Sequence, residues 1–214
     1  HILKFGNKYD IYNIVLSRFE LISAIMYEEN KKLIKNNIVI IGAGNLGFSC
    51  LIHLLDKGIK DITLVKNRDT FFLKNAIRIL EDEYDLNIIT LNKIEKYDYN
   101  VYIDSTGKKE IITEIIEKSK EYAKVILLGT PREPNCKVDL LIIHRKSLKL
   151  IGAHEICGVN EVYRNQLLIK LLEKNKNKKS YIKQFVNIYK YSIEQIKGIL
   201  KEKNNIFEVL KYDL

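Results

Sequence analysis

The fold of this chain is decided by one run of ten residues, Ile38-Val39-Ile40-Ile41-Gly42-Ala43-Gly44-Asn45-Leu46-Gly47. Its four consecutive β-branched residues are typical of a strand that is buried on both faces of a parallel sheet, and this strand ends at Gly42. Residues 46–55 have the pattern of a helix that ends before Gly58. The sequence therefore predicts a strand, a glycine-rich turn and a helix in immediate succession.

The glycines of this turn have the spacing G-x-G-x-x-G in the strand, turn and helix context that the motif requires. Gly42 permits a tight turn, Gly44 lets a pyrophosphate approach the backbone, and Gly47 allows the helix to pack closely on the strand. The N–H groups at the helix start, at Asn45 and Leu46, provide an anion site. We predict a dinucleotide-binding unit; the alternative is a turn whose glycines serve packing alone.

The residues after the second predicted strand, at 62–65, indicate which dinucleotide binds. An acidic residue about 20 positions after the turn normally binds the adenosine ribose of NAD. This chain has Lys66-Asn67-Arg68 instead, and cations attract a 2′-phosphate, so the sequence predicts NADP with NAD as the second choice. The alternative is that Lys66 and Arg68 are solvated surface. Asp69 is interpreted as the cap of the next helix.

The rest of the chain alternates strands with helices. This pattern predicts an α/β fold, a doubly wound parallel six-stranded sheet (Rossmann fold) with helices on both faces, because right-handed crossovers place helices on the sheet. One or two leading helices are predicted within residues 10–34. The predicted strands are 38–41, 62–65, 88–91, 101–103, 125–128 and 148–151, and the predicted helices are 46–55, 70–80, 110–122 and 161–172. A short helix at 193–200 and a strand at 207–210 are predicted in the tail.

The composition indicates a globular protein in a reducing, cytoplasmic setting. Hydrophobic residues are 46% and charged residues 29% of the 214, which excludes a disordered chain. Because Cys50, Cys136 and Cys157 form no C-x-x-C pair, neither disulfides nor a zinc cluster is indicated. Glycines interrupt the apolar stretch 38–55, so no membrane span is predicted. The net charge of +9 comes from scattered lysines, so no nucleic acid is expected as a partner, although nucleic-acid binding stays an alternative.

Four stretches of the sequence carry a family resemblance. They are residues 39–47, V-Y-I-D-S-T-G at 101–107, V-I-L-L-G-T-P at 125–131 and H-R-K-S-L-K-L-I-G-A-H at 144–154. In order and spacing they resemble the cofactor-binding domain of the medium-chain dehydrogenase/reductase family, the zinc-type alcohol and polyol dehydrogenases. The resemblance implies hydride transfer between a nicotinamide, with NADPH favoured, and an alcohol or carbonyl substrate.

The same resemblance implies which further residues meet the cofactor. The nicotinamide ribose would lie at Ser105, Thr106 and Gly107, and the carboxamide would meet backbone groups of Gly129, Thr130, Pro131, Gly152 and Ala153.

The resemblance also implies a division of the chain and a partner. Residues 8–178 would form the dinucleotide-binding domain with its leading helix, and residues 179–214 would rejoin a catalytic domain that is absent from this chain. The edge strand that begins near Ser147 and ends at Ile151 would pair with its copy in a homodimer, which satisfies an otherwise open sheet edge.

The sequence names no catalytic residue, because no nucleophilic set and no paired carboxylates stand out. His154, Glu155 and Cys157 imitate a zinc motif but follow the sixth predicted strand, so no metal site is predicted and zinc is expected only in the absent domain. His53 is interpreted as a packed or hydrogen-bonded histidine, and His144 is assigned to a connecting loop. The alternative function is a non-catalytic module that senses a dinucleotide.

Overall fold

The structure is a computed structural model that describes residues 8–66, 71–84, 87–90, 97–133, 136–156, 159–176, 186–190, 192 and 207–211. The helices are α1 (Ile11–Asn30), α2 (Asn45–Asp56), α3 (Phe71–Glu83), α4 (Lys109–Lys118), α5 (Leu140–Arg145) and α6 (Glu161–Asn175). The strands are β1 (Ile38–Ile41), β2 (Ile62–Lys66), β3 (Asn87–Thr90), β4 (Val101–Asp104), β5 (Lys124–Leu127), β6 (Lys149–Gly152), β7 (Val186–Lys190) and β8 (Phe207–Lys211).

The first six strands form one sheet in the order β3-β2-β1-β4-β5-β6, and all neighbouring strands in it are parallel. This confirms the predicted α/β class with a parallel sheet. The strand order reverses between β1 and β4, where Ile41 pairs with Val65 on one side and with Asp104 on the other. In open parallel sheets such a reversal opens a crevice at the carboxyl ends of the strands.

Strand β1 is buried on both faces because its side chains alternate between two hydrophobic clusters. Ile38 and Ile40 belong to the cluster that includes residues of α1, α2 and α3. Val39 and Ile41 belong to the cluster that includes residues of α4, with residues of α5 packed against it. All four side chains are at most 2% exposed, so the β-branched run lies at the centre of the fold.

Helix α1 packs on α2 and α6, and Glu20 is the centre of a buried polar cluster between the three helices. One Glu20 oxygen lies 2.9 Å from Nδ1 of His53 and also accepts a hydrogen bond from Lys174, and the other accepts from Asn175 at 2.8 Å. Burial raises the pKa of Glu20, but the His53 hydrogen bond and the Lys174 charge outweigh burial and lower it to about 2. His53 is only 2% exposed, which confirms that it is a hydrogen-bonded histidine.

The start of α1 and the end of α6 also touch. Tyr9 Oη donates a hydrogen bond to Oε1 of Glu173 at 2.6 Å, and Nζ of Lys8 lies 3.0 Å from the same oxygen. The residues that lead into α1 are thus fastened to the last turns of α6.

The structure corrects or completes several predicted elements. The assignment of His144 to a connecting loop was wrong, because it lies in α5, whose start is capped by the carboxylate of Asp139. Residues 10–34 contain the single helix α1, capped by Asp10. The predicted strand at 207–210 is confirmed as β8, which pairs in parallel with the unpredicted β7 in a separate two-stranded sheet. The predicted helix at 193–200 lies outside the described residues.

Candidate dinucleotide-binding site

Three loops meet at the carboxyl edge of the sheet, after β1, β4 and β5. The glycine turn after β1 begins at Gly42, which has a φ of +106° and donates its N–H to the carbonyl of Val65 at 2.9 Å. A Cβ on Gly42 would lie 2.5 Å from Oγ of Ser105, and a Cβ on Gly47 would lie 1.8 Å from the carbonyl oxygen of Gly42. Close packing therefore explains why both positions are glycine.

Packing does not explain the glycine at position 44. Its backbone is extended, with φ −82° and ψ −169°, a conformation that any residue adopts. A Cβ added to Gly44 would meet no atom of the described part of the chain within 4 Å. The middle glycine thus faces open space at the point where a phosphate would approach, which the packing-only interpretation of the turn does not account for.

Helix α2 begins at this open space. Its N-cap is Gly44, so no side chain caps the helix, and the first intrahelical hydrogen bond in this turn runs from the Phe48 N–H to the Gly44 carbonyl at 2.9 Å. The first-turn N–H groups, such as those of Leu46 and Gly47, have no carbonyl four residues earlier within the helix. These donors and the positive end of the helix dipole fit an anion.

The loop after β4 is held by Asp104, a residue that the sequence analysis did not single out. Its fully buried carboxylate accepts hydrogen bonds from the Thr106 N–H at 3.0 Å, from Oγ1 of Thr106 at 2.6 Å and from the Gly107 N–H at 3.1 Å. Burial raises the pKa of Asp104, and these hydrogen bonds act in the opposite direction. An Asp before Ser-Thr is a turn signal that could have pointed to it.

Ser105 joins this loop to the glycine turn. Its Oγ donates toward the carbonyls of Ile41 and Gly42, at 2.9 and 3.1 Å, and its N–H donates to Ile41 at 3.0 Å. The predicted Ser105-Thr106-Gly107 stretch therefore lies directly beside the glycine turn.

The loop after β5 packs on the loop after β4. Gly107 has a φ of +60°, and a Cβ there would lie 2.0 Å from the carbonyl oxygen of Thr130. A Cβ on Gly129 would lie 2.6 Å from the carbonyl carbon of Ser105. Thr130 and Pro131 are exposed. The structure thus brings together the predicted positions of the first, second and third loops.

The other predicted cofactor positions lie on either side of these loops. Lys66 ends β2, the strand next to β1, while Asn67 and Arg68 lie outside the described residues, as does Asp69. Gly152 ends β6 on the opposite side and is exposed, and the N–H of Ala153 donates to the carbonyl of Leu127 at 3.1 Å.

The His154-Glu155 pair has other partners than a metal. Nδ1 of His154 accepts a hydrogen bond from the Ile156 N–H at 3.2 Å, and the Glu155 carboxylate binds Arg18. Cys157 lies outside the described residues. Within the described ranges, no three or more His, Cys, Asp and Glu side chains converge as a metal site would require. No helix in that part of the chain is long and apolar enough to cross a membrane.

A parallel sheet of this order, with a glycine turn at its switch point, defines a dinucleotide-binding domain of the Rossmann type. Residues 25–140 match the family model described as shikimate / quinate 5-dehydrogenase. Because the match spans more than half of the sequence, the chain belongs to the shikimate/quinate 5-dehydrogenase family. This family differs from the one that the four sequence stretches resemble; the NAD(P)-binding dehydrogenase domain is common to both.

Solved structures share the fold. S. aureus TarJ matches with a TM-score of 0.73 and 19% identity over 98% of this chain and 68% of that one. Benzyl alcohol dehydrogenase from Acinetobacter calcoaceticus has a TM-score of 0.72 and 16% identity over 99% of this chain and 59% of that one. L-idonate 5-dehydrogenase from Escherichia coli has a TM-score of 0.70 and 12% identity, with coverages of 97% and 59%. No curated protein matches by sequence.

Proposed function

We propose that this chain is the NAD(P)(H)-binding domain of an alcohol dehydrogenase-like oxidoreductase, of the medium-chain type, that acts on an alcohol or carbonyl substrate. The observation that carries the proposal is the open face of Gly44 at the uncapped start of α2, beside two tightly packed loops. Family membership and the shared fold with benzyl alcohol and L-idonate dehydrogenases support the same class of chemistry.

In this proposal the chain binds and orients the dinucleotide. The N–H groups of the first turn of α2, those of Asn45, Leu46 and Gly47, would hold the pyrophosphate. The adenosine half would lie over β2, and the nicotinamide half over the loops that follow β4, β5 and β6. When it is bound, the nicotinamide supplies the hydride donor or acceptor of the reaction. The loops after β4 and β5 would hold its ribose and carboxamide with backbone groups.

We favour NADPH because Lys66 stands where an acidic residue would bind the ribose hydroxyls of NAD. A lysine there attracts a 2′-phosphate, and Arg68 can add a bidentate contact. A second TarJ structure is described as a complex with NADPH, and a structure of the E. coli alcohol dehydrogenase rspB as a complex with NADH. The fold therefore accommodates either cofactor, and the residues after β2 would decide the preference.

The whole enzyme extends beyond this domain in the proposal. The chain spans 59 to 68% of the length of the three structures compared above. Catalytic groups, and any zinc, would come from a further domain, which residues 179–214 would rejoin. The substrate is an alcohol or carbonyl compound whose identity this domain does not specify.

We also propose that the chain forms a homodimer through β6, which is the last strand of the sheet. At its two ends the N–H groups of Lys149 and Ala153 bond to the carbonyls of Ala123 and Leu127 on the β5 side, so the N–H groups of Leu150 and Gly152 point to the other edge. Leu150 is 41% exposed there. Pairing of two such edges would satisfy these groups, and the dimer would be cytoplasmic.

Titration with NADPH and NADH, followed by bound-nicotinamide fluorescence, tests the proposal. We expect saturable binding of both, with NADPH tighter, and loss of that preference in Arg68→Ala because the 2′-phosphate loses its bidentate partner. Failure of the native chain to bind either dinucleotide would refute the domain's function. Tighter binding of NADH, or an unchanged NADPH affinity in Arg68→Ala, would refute the cofactor choice alone.

A further inference from the structure

We infer that Arg18 and Glu155 are positioning residues, which hold the loop after β6 in the shape that receives the nicotinamide half of the cofactor. The inference rests on the proposed function. It concerns a contact between α1 and residues 137 positions further along the chain.

The pair has the geometry of a strong interaction. Nη1 of Arg18 donates to Oε2 of Glu155 at 2.6 Å, and Nη2 donates to Oε1 at 2.7 Å. Two parallel charge-assisted hydrogen bonds fix the direction of both planar groups, which a lysine contact does not do. The Glu155 side chain is 21% exposed and the Arg18 side chain 48% exposed. At such exposure an ion pair adds little to global stability, so its effect is local.

The two partners differ in rigidity. Arg18 lies in α1 between Ser17 and Phe19. Fully buried side chains of α1, such as those of Ser17 and Glu20, anchor the helix in the core. Glu155 lies in a turn between the end of β6 and α6. A rigid helix therefore holds a loop that has little regular structure of its own.

The loop is tied at two further points. Its base is held by the Ala153 N–H, which bonds to Leu127 at 3.1 Å, and its bend is held by the Ile156 N–H, which donates to Nδ1 of His154 at 3.2 Å. Neither tie sets the distance of the bend from α1. The Arg18 to Glu155 pair sets that distance, because it joins the bend to the helix laterally.

The position of this loop concerns one half of the cofactor. A dinucleotide lies across the switch point, with its two halves on opposite sides. Lys66 marks the adenosine side on β2, whereas β6 ends on the other side. Displacement of residues 153–156 should therefore weaken contacts to the nicotinamide nucleoside and leave those to the adenosine half unchanged.

Two single variants and a charge reversal test this inference. Arg18→Met keeps the aliphatic length without the charge, Glu155→Gln keeps the shape, and Arg18→Glu combined with Glu155→Arg restores a pair of opposite sense. The matched control is Lys31→Met, which removes the ion pair (3.3 Å) that Lys31, the C-cap of α1, makes with Glu28 in the last turn of the helix.

Calorimetry measures the affinity of each variant for the dinucleotide that the native chain prefers and for the matching nicotinamide-free fragment, ADP-ribose or its 2′-phosphate. We expect Arg18→Met and Glu155→Gln to lower dinucleotide affinity about tenfold and fragment affinity less than about twofold. The charge reversal should restore the dinucleotide affinity to within about threefold of the native value, and Lys31→Met should change neither.

Equal losses for both ligands, or no loss for either, would overturn the positioning role. If the native chain binds neither ligand, the proposed function fails and the inference fails with it. Native binding with unchanged variants refutes the inference alone.

Discussion

The open face of Gly44 makes a sharp prediction for Gly44→Val. The Cβ of the new side chain would meet no atom of the described residues within 4 Å, and the φ of −82° suits any residue. Replacing glycine stabilises by about 0.4–1 kcal/mol through the unfolded state, and an apolar N-cap costs a similar amount. The melting temperature should therefore move by less than about 4 °C, the shift that about 1 kcal/mol produces in a chain of this size.

Dinucleotide affinity should fall steeply in the same variant. The valine would occupy the space of the pyrophosphate and displace it from the first-turn N–H groups of α2. Two charge-assisted hydrogen bonds of about 1.5 kcal/mol each amount to about 3 kcal/mol, or about a 100-fold loss of affinity. Fluorescence titration measures the affinity, and calorimetric melting measures the stability.

Two other glycines serve as controls. Gly47→Ala places a Cβ 1.8 Å from the Gly42 carbonyl oxygen and should destabilise the fold by about 3 kcal/mol. Gly58→Ala, at a φ of +80° in open space at the far end of α2, should cost about 1 kcal/mol and leave affinity unchanged. An unaltered dinucleotide affinity in a folded Gly44→Val would refute the phosphate-site argument.

Three further predictions follow from the described contacts. Asp104→Asn replaces a carboxylate oxygen with an N–H₂ group, which cannot accept the hydrogen bond from the Gly107 N–H. The variant should lose about 1–3 kcal/mol of stability in thermal unfolding. An unchanged melting temperature would contradict the role of Asp104. Because the folded pKa of Glu20 is about 2, below its ordinary value of 4.5, up to about 3 kcal/mol of stability should be present above pH 4.5 and lost as the pH falls toward 2. Glu20→Gln should flatten that acid limb in urea unfolding at several pH values, and a native-like pH profile would show that Glu20 does not cause it. Leu150→Pro removes an N–H from the open edge of β6 and should give a monomer in sedimentation analysis, whereas a persistent dimer would exclude pairing through that edge.

Local sequence determined the centre of the fold. The run from Ile38 to Ile41 was predicted with the bounds of β1, because four β-branched residues followed by glycine leave few alternatives. The glycine motif implied a cofactor role for Gly42 and the family resemblance implied one for Ser105, and their contact agrees with this because the carboxyl ends of parallel strands meet at one edge. The short α5 was missed because a six-residue helix has too few turns to show a helical period.

Contacts between distant side chains could not be predicted. The sequence shows that residue 104 is an aspartate. The three hydrogen bonds that its carboxylate accepts depend on the path of the following loop, which the sequence does not give. Arg18 and Glu155 are 137 positions apart along the chain, and no sequence motif pairs them. A single sequence contains the charges of such pairs but not the packing of α1 that brings them together.

The contact of Lys8 and Tyr9 with Glu173 has a consequence for how this domain is attached. The start of α1 and the end of α6 therefore lie side by side, so both connections of the unit between them are at the same point on its surface. A unit of this kind can be inserted into another protein, or moved as one rigid piece, without stretching either connection. Anything joined to both of its ends would pivot about one point rather than two.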